Sequence, residues 1–278
     1  MDEAPPVDPW DLWRRLALSF AMLVAFLATL DGVGITGTPV ADTVDGWFTP
    51  EATLLSPAGS AFAIWGVIQT GVTLHFIHQW LPGQRTNPRF RAIGWWLSAS
   101  VLVYSGWLVA SQQGWLDATS VLILVLALLL GRTLAVLQRT QRALAPRPTR
   151  TRVIETITTD APLGLFLGWV SLASVPNVTA SLMNRGLDPS GRFAEAIALV
   201  MLAVVLALSI IIQGSLRGRW SISLAMAWGL AWVAVERVQG PNHSLLVALG
   251  AAGMAILVAG TGPLSRRSAR DDERHTGR

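Results

Sequence analysis

The stretch "SPAGSAFAIWGVIQTGVTLHFIHQW", residues 56–80, decides the fold class. It is mostly apolar, carries no carboxylate, arginine or lysine, and is long enough to cross about 30 Å of hydrocarbon as a helix. The stretch therefore predicts a membrane-spanning helix. Lipid does not require the side chains of Trp65, Gln69, His75 and His78 within such a helix, so we expect Trp65 and Gln69, four residues apart on one face, to point toward neighbouring helices.

The composition extends this prediction to the whole chain. Of the 278 residues, 52% are hydrophobic and 14% are charged, whereas a soluble domain carries about 25% charged residues. The chain has no cysteine, which excludes disulfides, thiolate metal sites and cysteine nucleophiles. We therefore expect an all-α integral membrane protein whose surroundings are the lipid bilayer, with no nucleic-acid partner.

Eight apolar runs have the length of a membrane crossing, which needs about 20 residues. They cover residues 12–33, 57–81, 92–113, 116–138, 161–183, 193–213, 219–236 and 243–261. We expect a polytopic membrane bundle of eight transmembrane helices. The first run has a long apolar core and no cleavage site after it, so we interpret it as a retained anchor.

The arginines orient these runs. When the runs alternate in direction, all but three of the 21 basic residues fall on one side, the exceptions being Arg185, Arg192 and Arg237. Because basic residues concentrate in cytoplasmic loops, we expect both termini in the cytoplasm. The membrane is expected to be the inner (plasma) membrane of a bacterium.

Tryptophans mark a shared interior near the opposite side. The chain has 13 Trp and a single Tyr. About half of the Trp fall near the ends of spans, where indoles anchor at the headgroups, but Trp65, Trp107 and Trp169 lie well inside their spans. The acidic loop 34–56 carries Trp47 and has no basic residue, and we expect it to cover a pocket formed by these helices.

These residues resemble a known family. Its pattern has W-V-F-x-P-V-W in the second helix, L-N-x-x-W in the third and W-V-x-x-A followed by Asn in the fifth. Here F-A-I-W at 62–65, a Trp in the third span and "LGWVSLASVPNVTA" at 167–180 look similar. The chain thus resembles the translocator protein family, also called the peripheral benzodiazepine receptor or tryptophan-rich sensory protein family.

The resemblance implies a five-helix unit with a pocket for flat hydrophobic ligands such as porphyrins and sterols. The chain departs from the pattern at Gly59 and Ala63, where the family has Trp and Pro, and at Gln69 and Tyr104, where it has Tyr and Asn. By position in the motifs and by helical spacing, the predicted ligand-binding residues are Trp47, Phe62, Trp65, Gln69, Tyr104, Trp107, Trp169 and Asn177.

The resemblance covers residues 12–184 or thereabouts. We therefore expect residues 1–190 to form the five-helix unit, residues 191–263 to add three transmembrane helices, and residues 264–278 to form a basic, disordered cytoplasmic tail. Small residues in the last span, Ala248, Ala252, Ala255 and Ala259, recur at helical spacing. They allow close packing, either within the chain or in a homodimer.

The predicted function is a membrane receptor, sensor or carrier for a planar hydrophobic small molecule, for which a tetrapyrrole is the candidate ligand. A transporter is the alternative, and an enzyme acting on such a ligand is less favoured, because no catalytic motif is visible and no catalytic or metal-binding residues are predicted. His75 and His78 lie near the end of their span beside Trp80, and we interpret them as interfacial anchors rather than metal ligands.

Overall fold

The computed structural model describes residues 6–144, 147–187 and 191–275, with side chains as far as residue 267. This part of the chain is all-helical and contains eight helical stretches long and apolar enough to cross a membrane. Its α-helices are α1 (Pro9–Gly32), α2 (Ile64–Trp80), α3 (Pro88–Gln112), α4 (Leu116–Ala143), α5 (Thr149–Glu155), α6 (Ala161–Asn184), α7 (Gly191–Ser215), α8 (Trp220–Gln239) and α9 (Leu245–His275). The predicted fold class is confirmed.

The predicted spans and the helices agree to within a few residues at most ends, with two notable differences. Residues 57–63 do not open α2 as a regular helix, because a 3₁₀ turn at Gly59–Ala63 precedes it. The helix α9 continues as far as His275 into the segment expected to be a disordered tail, and residues 276–278 lie outside the described residues.

Local sequence explains where several helices begin. Asp8 caps α1 by accepting from the Trp10 backbone N–H, and a proline follows as the first helical residue. Asn87 caps α3 in the same way, again followed by proline. A proline in the first turn has no N–H to leave unsatisfied, so both helices start where the sequence supplies a cap and then a proline.

The helix α6 lies at the centre of the bundle. It packs against α2, α4 and α8, while α8 also packs against α9 and α9 against α7; α1 and α4 pack against α3. Two thirds of the most apolar part of α6 is buried, compared with about a fifth for α7, which lies at the periphery. The first and the last parts of the chain therefore meet at α6.

Glycines allow α6 and α8 to approach closely. A Cβ on Gly168 of α6 would lie 3.0 Å from the Ala225 Cβ and closer still to the Ile222 carbonyl oxygen. A Cβ on Gly229 of α8 would overlap the Leu172 side chain and lie 3.3 Å from the Trp169 ring. Small residues at helix contacts are how membrane helices gain van der Waals contact without a hydrophobic driving force.

A buried ion network closes the end of the bundle that carries most of the arginines, here called the basic end. The Arg89 guanidinium, with 1% of its side chain exposed, lies 2.8 Å from a Glu155 oxygen and 2.6 Å from an Asp160 oxygen. Arg219, at the start of α8, lies 2.8 Å from the other Asp160 oxygen. A π-helical segment, Thr156–Asp160, joins α5 to α6 beside these charges.

Candidate ligand-binding site

An aromatic cavity lies at the opposite end of the bundle, here called the loop end, beneath residues 33–58. Helices α2, α3, α4, α6 and α8 form its walls, and the loop covers it. The lining is mostly apolar and includes four Trp, two Phe and the single Tyr: Trp47, Phe48, Phe62, Trp65, Tyr104, Trp107 and Trp169. Such a surface suits a flat apolar ligand, because aromatic rings offer large contact areas and stacking geometry.

Trp65 is the centre of the ring cluster. Its ring centroid lies 4.9 Å from that of Tyr104, 5.6 Å from that of Phe166 and 6.4 Å from that of Trp169. Phe62, one turn earlier, meets Trp169 edge-on at 5.6 Å. The 3₁₀ turn before α2 and the close packing of α6 bring these rings together.

Seven of the eight predicted ligand-binding residues line this one cavity: Trp47, Phe62, Trp65, Tyr104, Trp107, Trp169 and Asn177. The eighth, Gln69, lies one turn further along α2 and is not part of the lining. The Gln69 and Thr29 side chains instead lie near the Tyr104 hydroxyl. Gln69 therefore neighbours a ring of the cavity wall, and a role in ligand binding stays a prediction for all eight residues.

The loop enters the cavity through Phe48. Its ring stacks on Trp107, with centroids 5.6 Å apart and 23° between the planes. The preceding residues Val44 and Asp45 have φ values of 48° and 55°, a backbone region that is unfavourable for a β-branched residue. Val44 is held there because it packs on Leu116 and Ala180. The covering conformation is therefore partly strained.

Helix α8 completes the site and holds the loop. Val233 lines the cavity, and the Trp228 indole N–H donates to the Ala61 carbonyl oxygen over 2.9 Å. The Arg237 guanidinium, whose side chain is fully buried, donates to the Pro50 carbonyl oxygen over 2.9 Å and to the Asn242 carbonyl oxygen over 3.1 Å. Phe48, Val233 and Arg237 are not among the ligand-binding residues predicted from the sequence.

Two polar groups stand out among the apolar lining. The Trp107 indole nitrogen is buried and has no hydrogen-bond partner among the described residues. An unpaired buried donor costs about 1–3 kcal/mol, so it needs an explanation. The Asn177 amide is held by hydroxyls of α4, with its Oδ1 2.7 Å from the Ser120 Oγ and 3.2 Å from the Thr119 Oγ1.

The cavity is small in this conformation. Its volume is about 70 Å³, whereas pockets for drug-sized ligands measure about 300–1,000 Å³. A larger groove of about 580 Å³ lies beside it, between α6, α7 and the loop, and shares Leu55 with the cavity wall. Leu55 is 5% exposed and contributes to the lining of both spaces. A porphyrin or sterol requires the cavity to open, either at Phe48 or at Leu55.

The two histidines are not interfacial anchors, and that interpretation is wrong. His75 is 1% exposed and its Nδ1 lies 3.0 Å from the Thr159 hydroxyl, while the His78 Nδ1 lies 2.8 Å from the Thr158 hydroxyl. Both rings also contact Phe90 edge-on. They join α2 to the π-helical segment, and among the described residues no group of three or more His, Asp or Glu side chains is arranged to hold a metal ion.

The comparison with known families agrees with this architecture. A sequence profile of the family described as TSPO-like protein matches residues 14–262. The match extends past residue 184, where the resemblance in the motifs ends, and continues through α7, α8 and the apolar part of α9. No curated protein and no solved structure gives a significant match to the chain.

Proposed function

The chain belongs to the TSPO-like protein family, and we propose that it is a membrane receptor or carrier that binds a planar hydrophobic small molecule, such as a tetrapyrrole or a sterol, in the aromatic cavity. The observation that carries the proposal is the unpaired Trp107 indole N–H beside a wall of aromatic rings. A ligand with one hydrogen-bond acceptor on a flat apolar body would satisfy this donor and stack on the rings.

The ligand would reach the cavity from the membrane or from the loop end. The groove beside α7 is mostly apolar and shares the loop residue Leu55 with the cavity wall. The basic end offers no comparable route, since the buried pairs of Arg89 with Glu155 and Asp160 lie across it. This asymmetry favours binding and release on one side over transport across the membrane.

The orientation of the bundle is part of the proposal. The distribution of arginines supports a cytoplasmic location for the basic end and for both termini, in the inner membrane of a bacterium. The cavity would then lie in the outer half of the membrane, beneath a loop that faces away from the cytoplasm.

The test is a titration of the purified full-length protein with protoporphyrin, haem and sterols, followed by intrinsic tryptophan fluorescence. Trp107→Phe keeps an aromatic ring and removes the N–H. We expect this variant to weaken binding by about 2-fold to 13-fold, the equivalent of one hydrogen bond worth about 0.5–1.5 kcal/mol.

Trp80→Phe is the matched control. Trp80 is 38% exposed and is the last residue of α2, at the end of that helix away from the cavity. The Arg15 guanidinium lies 4.0 Å from the centroid of the Trp80 ring. It should bind as the wild type does. Saturable binding that Trp107→Phe leaves unchanged would exclude the cavity as the site, and no saturable binding of any of these ligands would exclude the proposed ligand class.

A further inference from the structure

A second cavity, at the basic end, is lined by four arginines. It measures about 370 Å³ and lies where α4, the π-helical segment, the turn between α7 and α8, and α9 meet. The arginines are Arg142, Arg217, Arg219 and Arg266. The only carboxylate among the described lining residues is Asp160. Arg219 pairs with it and Arg217 is also engaged, so the positive charge that is open to a ligand is that of Arg142 and Arg266.

The single carboxylate does not balance this charge, because it is already engaged. One Asp160 oxygen accepts from Arg89 over 2.6 Å and the other from Arg219 over 2.8 Å. Arg89 is itself outside the cavity lining and also pairs with Glu155. Arg142 and Arg266 face the cavity from α4 and α9 without a carboxylate partner among the described residues.

Other donors in the lining suit an anion. Gln141 on α4 and the Ser221 side chain on α8 line the cavity, together with the first turn of α8, which no side chain caps. The Gln138 amide also lines it, but its nitrogen donates to the Leu216 carbonyl oxygen over 2.9 Å. The N-terminal end of a helix carries a partial positive charge and free N–H groups, which adds to the field of the arginines. The Nε of Arg219 is buried and has no partner in the part of the chain that the structure describes.

The surroundings join this polar cavity to an apolar surface. A smaller recess of about 210 Å³ adjoins it, shares Trp220 and Arg266 with it, and is also lined by Pro263 and Arg267. Trp220 is 45% exposed and Leu264, beside Pro263, is 63% exposed. Indoles sit at the level of lipid headgroups, and basic pockets between helices at that level are suited to phosphate-bearing headgroups.

We propose that the arginine cavity at the basic end binds a phosphate group, supplied by the headgroup of an anionic phospholipid whose chains lie along the recess beside Trp220 and Leu264. A phosphate accepts several charge-assisted hydrogen bonds from guanidinium groups. In a zwitterionic headgroup the headgroup's own cation competes with the arginines for the phosphate, so binding is less favourable. A soluble organic phosphate shares this chemistry and is separated from the lipid by the experiment.

The experiment compares two pairs of substitutions in the full-length protein. R142Q/R266Q removes two arginines of the cavity for which the described residues include no carboxylate partner. R150Q/R152Q is the matched control, because it removes the same charge from exposed arginines of α5 at the same end of the bundle, outside the cavity lining. Thermal unfolding of both variants checks that the fold is kept.

Native mass spectrometry then counts the lipids retained from nanodiscs of phosphatidylcholine with and without phosphatidylglycerol. The wild type should retain one phosphatidylglycerol in preference to phosphatidylcholine, and R142Q/R266Q should lower that preference about tenfold, as expected for two lost guanidinium contacts. R150Q/R152Q should keep it. An equal loss in both variants would mean diffuse attraction to a basic surface and would overturn the proposal.

A second arm separates the sources of phosphate. Glycerol phosphate is added to protein in pure phosphatidylcholine, and the shift in unfolding temperature is measured. In one outcome, glycerol phosphate shifts the unfolding temperature of the wild type, R142Q/R266Q abolishes the shift, and the wild type does not retain phosphatidylglycerol. That outcome keeps the phosphate site but overturns the lipid as the source of the phosphate. Absence of both the shift and the retention in the wild type overturns the site itself.

Discussion

Replacing Phe48 by alanine should increase the affinity of the aromatic cavity for its ligand. Phe48 stacks on Trp107 and fills space that a larger ligand needs, since the cavity that remains measures about 70 Å³. When the cavity opens at Phe48 and not at Leu55, the ligand must first displace this ring in the wild type. In Phe48→Ala that displacement is no longer required, so its cost no longer reduces the observed binding free energy.

The size of the effect follows from the stacked pair. An aromatic pair at this distance contributes about 0.5–1.5 kcal/mol beyond simple burial, so removing it should raise the affinity about 2-fold to 13-fold. The same contact stabilises the closed loop, and its loss should lower the free energy of unfolding by at least that amount. The strained Val44 and Asp45, at φ values of 48° and 55°, each lower the stability of the closed loop by about 1–3 kcal/mol.

The assay is the protoporphyrin titration, with thermal unfolding measured on the same samples. Phe20→Ala is the matched control, because Phe20 on α1 is 60% exposed on the outer surface of the bundle and does not line the cavity. It should change neither affinity nor unfolding appreciably. A fall in affinity in Phe48→Ala, comparable to that of a cavity-wall variant, would refute the reasoning and make Phe48 a ligand contact.

Three further predictions address packing, topology and the role of the last helices. Gly168→Val should destabilise the protein by about 1–3 kcal/mol, because the added atoms overlap α8. Gly66→Val is the control and should not destabilise it, because Gly66 has open space around it. Thermal unfolding of the two variants provides the comparison. Reporter fusions at the C-terminus and in the loop 34–56 should report opposite sides of the membrane, and the same side for both would reject the eight-span topology. A chain ending at residue 190 should still insert if residues 1–190 form a five-helix unit. We expect it to lose protoporphyrin binding, because α8 supplies Val233 and Arg237; retained affinity would make the last three helices dispensable for the site.

The fold was largely predictable because membrane insertion depends on local sequence. A run of about 20 apolar residues must be helical in lipid, whatever it packs against, so the number of helices can be read from hydropathy. Where the prediction erred, packing decided instead. Residues 57–63 are apolar enough for a helix, but Ala58 donates its N–H to the Trp232 carbonyl oxygen of α8, which holds this segment out of α2.

The candidate site was predictable only where its residues follow helical spacing or a motif. Trp65, Trp107 and Trp169 share the cavity because each lies on the inward face of its own helix. Phe48 and Arg237 gave no such signal, since their partners lie far away in the chain. The same applies to His75, which from position alone looked interfacial, but which the π-helical segment covers through Thr159.

The energetics of the two ends bear on how the protein works. Opening the loop end requires breaking a few hydrogen bonds to backbone carbonyls, such as that from Arg237 to Pro50, and one aromatic stack, each worth about 0.5–3 kcal/mol. Opening the basic end requires separating Arg89 from Glu155 and Asp160, and removing one partner of a buried ion pair costs about 3–5 kcal/mol. The ligand itself adds contacts only at the loop end. These costs favour opening at the loop end, and this asymmetry supports the proposal of a receptor or carrier over that of a transporter with alternating access.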